Sequence, residues 1–176
     1  MTATTSKTSV KEMPDAISIL TADHKKVKKL FKDFEYMKES GSPAEKEELV
    51  AEICRELTMH ADAEEQIFYP AAREEIEEKN LLDEAEVEHA GVRDLVSQLQ
   101  SMRPDDDLYD AKVTVMSEYV NHHIEEEQNE IFPKVKKAKL DLERLGEQIL
   151  EFKNMMSPEY PPPSKPTRSK SVRTRI

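Results

Sequence analysis

The chain contains no tryptophan, three glycines and one cysteine, Cys54, among its 176 residues. A lone cysteine excludes an intramolecular disulfide framework and fits a reducing compartment. Cys54 itself reads as a small packed residue. Scarce glycine, with Glu, Lys, Leu and Ala dominating the middle of the chain, turns expectation from sheets to long helices. No apolar run approaches the ~18–20 residues that span a bilayer. The N-terminal MTATTSKTSVKEMP has no apolar stretch of the secretory type. A single-domain cytoplasmic protein with no membrane association is expected.

Positive charge is also in short supply: 26 Lys and Arg face 37 Asp and Glu, for a net charge of −11. The imbalance is uneven, because residues 157–176 sum to +4 and leave −15 on residues 1–156. An acidic body argues against nucleic-acid binding by the core, since phosphates must be met by Lys and Arg. The end, SPEYPPPSKPTRSKSVRTRI, is proline-rich and basic and reads as a disordered tail. Its plain role is to solubilise; contact with a partner or a phosphate is the alternative. Residues 1–13, small and polar, read as disordered too.

Between these ends apolar residues recur at helical spacing. Pro14-Asp15 opens a first helix that Ser40-Gly41 stops near Glu39. At Ser42-Pro43-Ala44-Glu45 a second helix starts, with Ser42 as cap, Pro43 in the first position and Glu45 completing a capping box. It runs to about Pro70, with a bent continuation toward Lys79. A third covers roughly residues 82–102, and Pro104-Asp105-Asp106-Asp107 makes a turn and cap cluster. The fourth runs from near Leu108 to Pro133. Val135, Ala138, Leu142, Leu145, Ile149 and Phe152 keep the spacing, so a C-terminal helix continues or follows a kink. The expected fold is all-α: an up-down-up-down four-helix bundle over residues 14–156, with a C-terminal helical extension and a disordered tail.

Steps of three and four mark the inward seam of each helix. The first gives Ile17, Leu20, His24, Val27, Phe31 and Phe34. The second gives Val50, Ile53, Leu57, His60, Glu64, Ile67 and Ala71. On the third lie Leu82, Ala85, His89, Val92, Val96 and Leu99, and on the fourth Tyr109, Val113, Met116, Val120, His123 and Glu127. One histidine on an apolar face is ordinarily a hydrogen-bonded core residue. Four of them, one per helix and close to one depth of the bundle, ask for a common cause. Burying two carboxylates without a cation costs several kcal/mol each, and no seam carries Lys or Arg. A bound metal is the simplest compensation.

The chain also repeats itself. DHKKVKKLF (23–31) matches EHAGVRDLV (88–96), and HADAEEQIFYP (60–70) matches HIEEEQNEIFP (123–133). In the second pair each histidine has a glutamate four residues later and a proline ten later, which selects His123 and Glu127 and leaves His122, Glu125 and Glu126 at the flank. Four imidazoles and two carboxylates suit a pair of borderline metals, foremost iron. If each glutamate bridges the ions and an oxo or hydroxo group is shared, open positions remain for a diatomic or a peroxide. A single zinc would leave a buried carboxylate unexplained. Ferritin-type sites use Glu-x-x-His, which no seam contains.

The arrangement H…HxxxE…H…HxxxE, with IFYP and IFP after the two HxxxE motifs, resembles the hemerythrin-like (HHE) family over roughly residues 14–135. These are non-haem di-iron four-helix bundles. The resemblance implies two iron ions, with His24, His60, His89 and His123 as terminal ligands and Glu64 and Glu127 as bridging carboxylates. It also implies that the centre takes O2, NO or peroxide. Two features depart from the oxygen carriers of that family. Their fifth histidine, one turn after the third-helix ligand, is Arg93 here; their second bridging group is an Asp five residues after its His, where this chain has Glu four after.

Sensing or detoxification is therefore expected in place of bulk oxygen transport. The rival is an iron-handling or iron-sensing protein whose metal occupancy controls an unknown protein partner. A structural bundle, the blandest reading, would tolerate His60→Ala and Glu64→Ala. Whether the site turns over a substrate stays open. Asp23 and Glu88, each preceding a matching histidine, read first as solvated acids and second as supports for the histidines. Tyr119 reads equally as pocket lining or packing.

Overall fold

The computed structural model describes residues 13–157; the expected disordered N-terminus and basic tail lie almost wholly outside them. Its helices are α1 (Ala16–Ser40), α2 (Pro43–Ala63), α3 (Tyr69–Glu75), α4 (Lys79–Gln100), α5 (Tyr109–Glu126), α6 (Phe132–Lys137) and α7 (Leu142–Met156). Local chemistry sets the starts. Asp15 caps α1 by accepting from the Ser18 N–H at 2.7 Å. The capping box of α2 is complete, with Glu45 N–H donating to Ser42 Oγ and Ser42 N–H to Glu45 Oε2. One expected start differs. The aspartate cluster does not cap α5, because Asp106 turns back to accept from the Arg103 N–H at 2.7 Å. Leu108 occupies the cap position instead, at a left-handed φ of 71° that side chains other than glycine rarely adopt.

α1 packs on α2, α4 on α5, and the two hairpins close through α1 against α5 and α2 against α4. The result is an up-down-up-down bundle, as the hydrophobic spacing requires. Every seam residue of α1, α4 and α5 named above is buried. Each buried Leu, Ile or Phe contributes about 1.5–3 kcal/mol. After α6 the chain breaks at Ala138, and α7 folds back over α1. Gly146 permits that approach, since a Cβ there would lie 2.5 Å from the Pro14 carbonyl oxygen. Among the described residues no helix is long and apolar enough to cross a membrane.

α2 and α5 do not simply end. Each passes into one π-helical turn, Glu64–Phe68 and Glu127–Ile131, which leads into the short α3 and α6. Proline explains the position. Pro70 and Pro133 lack an N–H and crowd the preceding turn, and the widened turn accommodates them, closed by Tyr69 N–H to the Glu64 carbonyl and Phe132 N–H to the Glu127 carbonyl. The extra residue corrects the expected seam of α2 beyond Glu64. Ile67 and Ala71 are only partly buried, while Phe68, Tyr69 and Ala72 are at 0–1% exposure. The seam has slipped by one residue.

Candidate metal centre

Two apolar clusters fill the bundle, one around Phe34, Ile53, Leu99 and Met116, the other around Leu20, Phe68, Tyr69 and Ile149. The buried polar residues lie between them: His24, His60, Glu64, His89, His123 and Glu127. All six sequence-selected side chains therefore converge. The imidazoles pair through Nε2, His24 with His60 at 3.1 Å and His89 with His123 at 3.2 Å. Glu64 reaches both pairs, with Oε1 3.1 Å from His60 Nε2 and Oε2 3.3 Å from His89 Nε2. Glu127 Oε2 lies 3.1 Å from His24 Nε2.

The outward nitrogens are held as well. His60 Nδ1 is 3.1 Å from Asp23, His123 Nδ1 2.8 Å from Glu88, and His89 Nδ1 2.9 Å from Glu65. His24 Nδ1 faces the side-chain amide of Gln128 at 3.1 Å. A carboxylate accepting the Nδ1 proton fixes the tautomer and leaves the Nε2 lone pair pointing inward. Once the imidazoles are neutral, the state a metal requires, lone pairs of nitrogen face lone pairs of carboxylate oxygen. Glu64 Oε1 and Glu127 Oε2 are buried without a hydrogen-bond partner. Orphaned buried carboxylate oxygens are costly, and a cation among them turns repulsion into attraction. Two overlapping donor groups, His24–His60–Glu64–Glu127 and Glu64–His89–His123, have the composition and closeness to hold metal, with Glu64 common to both. The residues present fit a metal site.

Electrostatics without metal show how crowded this layer is. Burial and the Glu64 charge push the Glu127 carboxyl well above the usual carboxylate range. Burial lowers His24 to about 3, helped by the neighbouring His60. His60 goes the other way despite its burial, raised to about 10 by Glu64 and Asp23. His89 is likewise raised to about 9 against its burial, through hydrogen bonds to Glu64 and Glu65. Cys54, pushed up to about 12 by burial, is an inert packed thiol.

Several neighbours differ from expectation. Asp23 and Glu88 are not solvated acids, since each grips a histidine of the centre. Lys153 of α7 ion-pairs with Asp23 and holds it in place. Tyr119 is 53% exposed and is not among the residues walling the cavity beside the imidazoles. Glu65, Gln128 and Tyr69 were not singled out by the seams. The Tyr69 hydroxyl donates to Glu64 at 3.3 Å and to Glu127 at 3.4 Å. Repeat alignment holds the missing signal: Glu65 and Gln128 each follow a seam glutamate directly, and Tyr69 and Phe132 each precede the matched prolines. Arg93 turns to helix α2, bonding Glu65 at 2.7 Å and Asp62 at 2.8 Å. On the imidazole side a small cavity is walled by Val27, Leu57, Val92, Val96, Val120 and Ile124.

Comparison with known proteins gives three findings. The family model for the hemerythrin HHE cation binding domain matches residues 15–135. A crystal structure of a hemerythrin HHE cation binding domain-containing protein from Mycobacterium kansasii superimposes with a TM-score of 0.70. It covers 84% of this chain and 90% of its own at 24% identity, a likeness of fold. A curated protein of Nostoc sp., named a DNA nickase, is 27% identical over 138 residues, which is 77% of this chain. The chain spans only 37% of that relative's length.

Proposed function

Because the chain belongs to the hemerythrin HHE cation binding domain family, we propose that the buried layer holds two non-haem iron ions that bind or react with O2, NO or peroxide. Glu64 carries this reading, since its two oxygens divide between His60 and His89, one from each imidazole pair. His24, His60, His89 and His123 would hold the ions at their Nε2 atoms, together with the carboxylates of Glu64 and Glu127. When bound, an iron pair supplies redox electrons and coordination positions beside a dry wall.

The chain's own residues would do the rest. Asp23, Glu88 and Glu65 orient the imidazoles, and the valine-lined cavity keeps water from the Nε2 side while leaving room for a small molecule. Arg93, bound to Glu65 and Asp62, puts a cation where a fifth histidine would saturate the site. That favours sensing or detoxification over bulk oxygen transport. DNA nicking, the activity in the Nostoc relative's name, is not carried over, because residues 1–156 bear −15 and offer phosphates a repulsive body.

Orphaned carboxylate oxygens also favour a second reading, an iron-handling or iron-sensing protein. Metal that neutralises them stabilises the folded bundle, so occupancy can control a protein partner. Metal analysis and an absorption spectrum of aerobically purified protein test the shared premise. Two irons per chain with charge-transfer bands are expected; colourless protein that cannot be reconstituted with iron would overturn both readings. Adding peroxide or NO then separates consumption from a stable adduct, and an iron-dependent melting point without either would favour iron sensing.

A further inference from the structure

His122 stands beside the centre without belonging to it. It is 65% exposed, with Nε2 3.3 Å from Glu126 Oε1 and 3.7 Å from Glu88 Oε1. The donor atoms of Glu88, His122 and Glu126 all lie within 4.8 Å of one another. Glu88 is shared: Oε1 faces this surface group, while Oε2 holds His123 Nδ1 of the buried layer at 2.8 Å.

A second feature lies behind the surface group. The open basin containing it adjoins a narrow cleft between α4 and the end of α5, whose walls include Glu84, Glu88, Glu126 and Glu130. The inner wall is His123 and Glu127. Glu127 is fully buried, and its Oε2, without a hydrogen-bond partner, faces His24 Nε2 of the buried layer at 3.1 Å. Among the described residues, neither basin nor cleft is lined by Lys or Arg. Acidic walls of one sign concentrate cations and repel anions.

Pseudo-symmetry sharpens the case. The repeat puts Met59 and Ala63 where the second half has His122 and Glu126. On that side Asp23, the counterpart of Glu88, is ion-paired by Lys153 of α7. One of two equivalent positions is thus closed by an ammonium group, and the other is furnished with a histidine and two carboxylates. One imidazole and two carboxylates suit a borderline divalent cation with water completing its shell.

We propose that Glu88, His122 and Glu126 form a surface site for a divalent cation, and that the cleft behind it delivers metal to Glu127 and His123. The site stands on its own geometry; its service as a loading station rests on the two-metal reading of the core. An imidazole at the mouth captures the hydrated ion. Glu88, which also holds His123, passes it inward to the cleft wall formed by His123 and Glu127.

The test uses the full chain with Mn2+ as probe. After the core has been filled with iron, Mn2+ titration followed by electron paramagnetic resonance should count one further ion. Loss of an outer support alone costs ~10–100-fold in metal affinity, so His122→Ala and Glu126→Gln should each weaken this ion at least about tenfold. Unchanged Mn2+ binding in both variants would overturn the site. Stopped-flow loading of metal-free protein with Fe2+ should be several-fold slower in His122→Ala, with the same final iron content. An unchanged rate alongside lost Mn2+ binding would overturn the loading role and leave the site. Should the core take up no iron at all, the two-metal reading fails, and Mn2+ titration of the metal-free protein still decides the surface site.

Discussion

The hairpin of α1 and α2 and the hairpin of α4 and α5 present the same histidine, histidine and glutamate to the centre, yet they support them differently. Asp23 and Glu88 do equivalent work, each holding the histidine of the next helix. The other supports diverge. His89 leans on Glu65, itself clamped by Arg93, whereas His24 meets the neutral amide of Gln128. Tyr69 stacks on His89 with centroids 5.8 Å apart and Phe132 on His24 at 5.9 Å, but only Tyr69 has a hydroxyl to offer the carboxylates. The donor set is symmetric and its surroundings are not. A symmetric bundle can thus give its matched imidazoles unequal basicity, with His24 held near 3 and its counterpart His89 near 9.

Removing a donor from either half should have the largest effect. His60→Ala and His123→Ala should each cut iron content below two per chain and weaken binding by more than about 100-fold, measured by metal analysis and calorimetry. A half that tolerates the change would break the equivalence of the two.

Next comes pH, in the metal-free protein. His60 and His89, raised from 6.5 to about 10 and about 9, contribute stability that is full below pH 6.5. It is lost as pH rises through those values, on the order of a few kcal/mol. His24, lowered to about 3, adds nothing above pH 6.5 and costs stability below it. Melting midpoints should therefore fall from pH 7 to 10, and metal, which must displace the His60 and His89 protons, should bind more tightly over that range.

Exchanging the outer partners sharpens the contrast. Glu65→Gln should weaken one of the two metal-binding steps by ~10–100-fold, and Gln128→Glu should strengthen the other; two-step Co2+ calorimetry reads both. If the steps do not respond separately, the halves are not individually tuned. Tyr69→Phe, which makes the first half resemble the second, should cost the metal-free protein about 1 kcal/mol. Its melting midpoint should drop by roughly 2–4 °C.

Much of this was legible in the chain. His24, His60, Glu64, His89, His123 and Glu127 fall on seams because burial enforces a 3.6-residue period wherever the helix is regular. The repeat doubles that signal by matching Pro70 with Pro133. What escaped has a physical cause. Asp23 and Glu88 sit at the edge of their seams, where exposure and a buried hydrogen bond look alike in a sequence, and only the neighbouring helix decides. Glu65 and Gln128 act across hairpins, on His89 and His24, and such pairings have no local period. The aspartates before α5 have ideal capping chemistry, yet Asp106 finds the Arg103 N–H first.

The widened turns after Glu64 and Glu127 are more than a way to seat a proline. Five residues of regular α-helix would carry a side chain about 140° round from its starting direction. A turn closed between residues five apart brings the residue five positions on back toward the direction of the first. It works as a phase corrector, bringing the Tyr69 hydroxyl to Glu64 and the Phe132 ring onto His24. Were the same residues to run through Gln66 and Asn129 as regular α-helix, the rhythm would be perfect and the aromatic ring would swing about 140° out of the layer. In these two helices a smoother helix would make a poorer site.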